Sequence, residues 1–167
     1  MLLYLIRHAH AVAADENRER PLSLRGRGEC ARVAAFLGRT REFTPLEFWH
    51  SPLARARETA ELLRAALAPQ IALREHAGLL PEDDPAVFAA RLTALAPTAA
   101  LAVAGHEPHL SALATLLVCG RAAPIGFEFE KAAVLALDAP SYGLPAHADL
   151  TGRFAVRWHL SPALLPA

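Results

Sequence analysis

Three short segments carry the residues best suited to hold and transfer an anionic group. Arg7 and His8 end an apolar run that begins at Leu2. Arg55 lies just beyond Ser51-Pro52, in Ser51-Pro52-Leu53-Ala54-Arg55-Ala56. His106 follows a glycine, in Gly105-His106-Glu107-Pro108-His109. A guanidinium is a planar fork of donors that matches phosphate oxygens and keeps its charge throughout the physiological range. A neutral imidazole can donate, accept or attack as a nucleophile. Two arginines and two histidines in one pocket would repel one another unless an anion sat between them. A phosphoryl group fits that place by charge and by hydrogen-bond geometry.

Such a pocket needs elements that bring the three segments together. Leu2 to Ile6, Leu46 to Trp49 and Ala100 to Ala104 are short apolar runs and read as buried strands. Each ends at one of the three segments, which places Arg7-His8, Ser51 and His106 at strand carboxyl ends, the rim where open α/β sheets bind ligands. Between the strands lie helical patterns. Ser23 is a candidate cap for a helix with Cys30, Val33, Ala34 and Leu37 on its inner face and Gly38 as its stop. Ser51 followed by Pro52 reads as cap and first helical residue of the next, with Ala56, Ala60, Leu63 and Leu67 inward.

Ile71 to Leu73 is a weak strand. Asp84-Pro85 opens a third helix through Phe88, Leu92 and Leu95, and a fourth starts near Pro108 with Leu110, Leu113, Ala114 and Leu117 inward. Ala132 to Leu137 and Arg153 to His159 read as strands joined by a hairpin loop over 139–152, an antiparallel edge. This alternation predicts an α/β sandwich in three layers, a mainly parallel sheet with helices on both faces. The predicted organisation is a single domain spanning residues 1–167.

Composition narrows the classes of function. The chain has 167 residues, 53% hydrophobic and 20% charged, with a formal net charge of zero. It therefore has no general electrostatic claim on nucleic acid or an anionic membrane. No apolar run approaches the roughly 20 residues of a membrane span, and the start is too short for a signal-peptide core. Cys30 and Cys119 fall on apolar positions of helical patterns and read as buried, reduced thiols. The expected setting is cytoplasmic.

The three segments, with Arg20-Pro21-Leu22-Ser23 and Trp158-His159-Leu160-Ser161-Pro162, make the chain resemble the histidine phosphatase superfamily. Within it the chain is similar to the small SixA-type phosphohistidine phosphatases, and the resemblance runs from Leu2 to about Pro162. It implies a phosphoglycerate mutase-like fold and a hydrolase that works through a phosphohistidine intermediate. On that resemblance His8 is the nucleophile, and Arg7, Arg55 and His106 hold the phosphoryl oxygens. Neighbouring positive charge suits this role, because it keeps an imidazole neutral by lowering its pKa.

The chain departs from the family pattern in two places. Ala9 stands where the family has glycine, which is tolerable unless the position needs a positive φ. The general acid has no clear motif. Glu82, Asp83 and Asp84 lie roughly where the larger superfamily places it, and Glu82 is the first choice because Asp84 is already explained as a cap. A weak acid motif favours a P–N bond substrate, since imidazole leaves more readily than an alkoxide.

His10 and Lys131 are candidates for substrate contacts at the pocket rim. His8-Ala9-His10 could in principle ligate a metal, but no further ligand set accompanies it, so no metal or cofactor is expected. His109 reads as a surface residue or one lying behind the pocket, and Glu107 as a carboxylate favoured at a helix start. The function expected is a metal-independent phosphatase that removes phosphate from a partner such as a phosphorylated histidine-containing phosphotransfer protein, releasing inorganic phosphate. The alternatives are a phosphomonoesterase of a small phosphorylated metabolite and a non-catalytic phospho-ligand sensor.

Overall fold

A computed structural model describes residues 1–96, 99–139 and 149–165. The elements follow in the order β1 (Leu2–Arg7), α1 (Leu24–Thr40), β2 (Glu47–His50), α2 (Ala54–Leu67), β3 (Leu73–Glu75) and α3 (Pro85–Leu92). They continue with β4 (Ala100–Gly105), α4 (His109–Cys119), β5 (Val134–Asp138) and β6 (Ala155–Leu160). The six strands form one sheet in the order β3-β2-β4-β1-β5-β6. β1 pairs in parallel with β4, and β2 pairs in parallel with both β3 and β4. β5 alone runs the other way, antiparallel to β1 on one side and to β6 on the other.

Alternation along the strands splits the core between two faces. Leu3, Leu5, Leu101, Val103, Leu135 and Leu137 pack with Phe88, Leu92, Leu110, Leu113 and Leu117 of α3 and α4. Tyr4, Ile6, Phe48, Ala102, Ala104, Val134 and Ala136 pack with Cys30, Val33, Leu37, Ala60 and Leu63 of α1 and α2. β4 is buried along its whole length because it lies inside the sheet and is covered on both faces. The result is the predicted three-layer α/β sandwich.

Local signals fixed some element ends and misplaced others. Ser23 caps α1 by accepting from Gly26 N–H, and Asp84 caps α3 by accepting from Ala86 N–H, with Pro85 in the first turn. Gly38 does not stop α1, which runs on to Thr40 and ends at Arg41 in a left-handed conformation. Ser51 does not cap α2, and Pro52 is not its first residue. The helix starts at Ala54, its cap Leu53 offers no side-chain acceptor, and the Ser51 hydroxyl is directed elsewhere.

The weak strand expected at Ile71 to Leu73 lies later, at Leu73–Glu75. Cys30 is buried, and burial pushes its thiol up to about 12, whereas Cys119 is exposed at the end of α4 and is not the buried thiol its helical position suggested. Most of the expected hairpin loop over 139–152 lies outside the described residues. No helix among the described residues is long and apolar enough to cross a membrane.

Candidate active site

The sheet register brings the three segments to one rim. Arg7 pairs with Gly105 and His50 with Ala104, so β1, β2 and β4 end side by side. The backbone of His8 is held at that edge: its N–H donates to Gly105 O at 3.0 Å and its carbonyl accepts from Ala132 N–H at 3.3 Å. The next residue is fastened to α2, since Ala9 N–H donates to Thr59 Oγ1 at 3.0 Å and Thr59 Oγ1 donates to Arg55 O at 2.7 Å. Ala9 is fully buried and is not among the residues with positive φ, so its methyl group costs no backbone strain in place of glycine.

The His8 ring is fixed at one nitrogen and open at the other. Nδ1 lies 2.8 Å from the Ala9 carbonyl, an acceptor only, so Nδ1 carries the proton and Nε2 the lone pair. Arg55 Nε stands 3.2 Å from that lone pair and Lys131 Nζ 3.4 Å from it. Burial, then the Lys131 charge, pushes the His8 imidazole down to about 2. The ring is therefore neutral over the physiological range, the form needed for attack.

His106 sits just past β4, its ring centroid 5.0 Å from that of His8. Its Nε2 lies 2.8 Å from Ser51 Oγ, and its Nδ1 is buried without a partner. Burial, then the Arg55 charge, pushes this imidazole down to about 3. Arg7 completes the group. Its Nη1 donates to the Phe129 carbonyl, and its Nε is buried without a partner.

Lys131 reaches this cluster because β5 is reversed. A strand that runs against its neighbours starts at the rim where they finish, so the residues leading into Val134 meet the residues following Ile6. Burial, then the charges of Arg7 and Arg55, lowers the Lys131 ammonium to about 8. Arg20 is a further cation that sequence reasoning left without a role. Its charge disfavours the protonated forms of both Arg55 and Lys131, which places it in the same field. Its position in Arg20-Pro21-Leu22-Ser23 was the available signal.

The remaining candidates fall outside this cluster or at its edge. Glu82 is exposed and makes no hydrogen bond to the cations, although its charge favours the protonated form of Arg55. Asp83 accepts from Leu80 N–H at 2.7 Å, which shapes the turn before α3. His10 turns away from His8: its Nδ1 lies 2.8 Å from Ser23 Oγ, and it lines an adjoining groove of about 860 Å³ with Arg20 and Leu24. His109 is wholly buried against Phe88 and not at the surface, with neither ring nitrogen partnered. Glu107 accepts from Ser111 Oγ at 2.5 Å, and burial raises its carboxyl above the ordinary range. Among the described residues no three His, Cys, Asp or Glu side chains gather as a metal ion would require.

The cluster can thus present one nucleophilic nitrogen and several donors to a tetrahedral oxyanion, much of whose charge would be met by Arg7, Arg55 and Lys131. The family model of the histidine phosphatase superfamily (branch 1) matches residues 3–80. An uncharacterised protein of Picosynechococcus sp. is 34% identical over 160 residues, covering 89% of this chain and 92% of its own. The structure of the protein histidine phosphatase SixA complexed with tungstate superposes with a TM-score of 0.80 at 23% identity, covering 98% of both chains. The α-ribazole phosphatase of Shigella flexneri superposes with a TM-score of 0.70 at 18% identity, covering 84% of this chain and 91% of its own. At those identities the two structural likenesses speak for the fold alone. By its matching family model and the motifs gathered at this rim, the chain belongs to the histidine phosphatase superfamily.

Proposed function

We propose that this protein is a metal-independent phosphohydrolase that works through a phosphohistidine intermediate on Nε2 of His8, with phosphohistidine on a partner protein as its substrate. The observation that carries this reading is the wiring of His8. Its proton is held by Ala9 O, and its free lone pair lies within 3.4 Å of two cations able to hold phosphoryl oxygens. In the first step the Nε2 lone pair forms a bond to phosphorus. The bond to the departing imidazole breaks, and that nitrogen keeps the electron pair and takes a proton from solvent. In the second step water attacks phosphorus, the Nε2–P bond breaks, and the pair returns to His8 as inorganic phosphate leaves. The side chain cations supply the positioning and charge stabilisation that phosphoryl transfer chiefly needs.

The substrate class rests on Glu82. An alkyl phosphate releases an alkoxide, whose departure needs a proton donor in place, and loss of a general acid typically costs about 10²–10⁴-fold. Glu82, exposed and unbonded to the cations, is poorly held for that task. A phosphorylated histidine-containing phosphotransfer protein presents a leaving group with less need of it. Phosphatase activity on a small metabolite is the second reading, favoured by the influence of Glu82 on Arg55 and by the shared fold of the α-ribazole phosphatase.

One set of assays tests the function and the substrate together. Wild type, His8→Ala and Glu82→Gln are compared on a phosphohistidine peptide and on an alkyl phosphate, with an alkaline quench to trap the acid-labile adduct. The expected result is trapping on His8, loss of turnover by roughly 10³-fold or more in His8→Ala, and phosphohistidine hydrolysis that Glu82→Gln barely changes. Strong alkyl phosphatase activity that collapses in Glu82→Gln would establish the metabolite reading instead. Absence of turnover on both substrates, with tight anion binding, would make the protein a sensor.

A further inference from the structure

His106 raises a question that His8 does not. Its ring is neutral and has one N–H to place, yet one nitrogen faces a hydroxyl, which can donate or accept, and the other is buried without a hydrogen-bond partner. The choice decides what the ring offers an anion. A proton on Nδ1 makes that nitrogen a donor to a phosphoryl oxygen, whereas a proton on Nε2 leaves a lone pair that repels it.

The partners of Ser51 resolve the choice. Ser51 is fully buried at the end of β2, and its Oγ accepts from Leu53 N–H at 3.4 Å. Its own proton then needs an acceptor, and among the described residues the one acceptor within reach is His106 Nε2. If Nε2 held the proton instead, the Ser51 hydroxyl proton and the Nδ1 lone pair would both be buried and unmet. Each such group costs about 1–3 kcal/mol. With the proton on Nδ1 a single group is unmet, and it is a donor on a ring that lies beside that of His8 and in the field of Arg55, Lys131 and Arg7.

We infer that Ser51 is the positioning residue of His106: its hydroxyl donates to Nε2 and so places the ring proton on Nδ1, the nitrogen left to bind a phosphoryl oxygen. This deepens the proposed phosphatase reading and rests on it for the identity of the anion. The two histidines of the site then carry their protons on the same atom for opposite ends. In His8 the Nδ1 proton is spent on the scaffold, which frees Nε2. In His106 the scaffold occupies Nε2, which frees the Nδ1 proton. The Ser51 signal in the sequence was real, but it belonged to a histidine 55 residues away and not to the helix that follows.

The test is nitrogen-15 NMR of the histidine rings, in the resting protein at neutral pH and during titration with tungstate. For wild type we expect His106 to be protonated at Nδ1, with that proton resonance moving as the anion binds. Ser51→Ala should return the ring to the Nε2-protonated form that free imidazole side chains favour in water, and weaken tungstate about fivefold to tenfold. Ser51→Thr, which keeps the hydroxyl, should retain the Nδ1 form and most of the affinity. A wild-type ring protonated at Nε2 overturns the inference, and that reading stands even if a variant fails to fold. An unchanged tautomer with unchanged affinity in Ser51→Ala overturns it as well. Because the probe is an inorganic oxyanion and no turnover is measured, failure of the phosphatase reading would show separately, as absence of hydrolysis by a protein whose His106 behaves as described.

Discussion

Arg55 Nε points at the lone pair of His8 Nε2 across 3.2 Å. At rest the atom proposed to attack phosphorus is covered by the cation proposed to hold the phosphoryl oxygens. The incoming group therefore needs no empty cavity waiting for it. It replaces a contact between a cation and a neutral nitrogen by hydrogen bonds in which donor and acceptor are both charged. Lys131 is placed in the same way at 3.4 Å, so both cations change partners together when an oxyanion enters.

Arg55→Ala should weaken binding of tungstate or phosphate by more than tenfold with the fold intact, since a hydrogen bond to a charged group is worth about 1.5–3 kcal/mol. Arg55→Lys should recover only part of the loss, because an ammonium keeps the charge but not the fork. Isothermal calorimetry on the three proteins measures both effects. Affinity of Arg55→Ala equal to wild type would remove this residue from the site.

Lys131 gives anion binding a pH dependence. Its ammonium is lowered to about 8, so it is charged below that value and loses its charge as pH rises through it. Tungstate stays dianionic across this range, so its affinity should hold steady below about pH 7.5 and fall above pH 8. Lys131→Gln should bind more weakly at pH 7 and show no such fall. A wild-type profile that is flat to pH 9.5 would contradict the placement of Lys131.

The two neutral histidines should make the protein sensitive to acid. His8 and His106 have folded values near 2 and near 3, both below the ordinary 6.5 of an unfolded chain. Between these limits the unfolded state binds more protons than the folded one, so this stabilisation is complete above pH 6.5 and is lost as pH falls toward the folded values. The free energy of unfolding, measured by urea titration, should drop below pH 6.5 by up to about 1.4 kcal/mol per pH unit for each ring. His106→Asn should remove about one ring's share of that slope. An unchanged slope in that variant would show that His106 does not titrate on unfolding.

Gly26 ties α1 to the segment after His8. A Cβ there would stand 2.0 Å from the carbonyl oxygen of His10, an atom of the backbone that cannot swing aside. Gly26→Ala should destabilise the protein by about 1–3 kcal/mol as the helix is forced off this segment. Gly28 in the same helix meets nothing within 4 Å, so Gly28→Ala should instead add about 0.5–1 kcal/mol. Thermal melts of the pair separate close packing from helix propensity.

The parts of this site legible in the sequence were those encoded in neighbouring residues. Arg7-His8 after an apolar run, and Gly105-His106 after another, marked strand ends directly. Ser23 and Asp84 capped their helices because a cap bonds a few residues along the same chain. Lys131, a candidate in the sequence, meets His8 because one strand is reversed, and strand direction is a property of the whole sheet. The misreadings involve partners far away in sequence. Ser51 was read as a local helix cap, whereas α2 starts only at Ala54 and the Ser51 hydroxyl lies 2.8 Å from His106 Nε2. His109 lies in the first turn of α4, where a polar residue suggests solvent, yet α3 covers it with Phe88.

The position of β1 in the sheet has a consequence for how the protein is made. This strand is translated before β4 and β5, between which it lies in the sheet, and their residues come roughly a hundred or more positions later. At roughly 5–20 residues per second, its apolar run waits on the order of ten seconds on the ribosome before either neighbour exists. Pairing across such separations is slow in itself, since loop closure must precede any gain from contact. A nascent chain stalled near α3 would therefore expose Leu3 to Ile6 without a strand to pair with, and would be a natural client for a ribosome-bound chaperone.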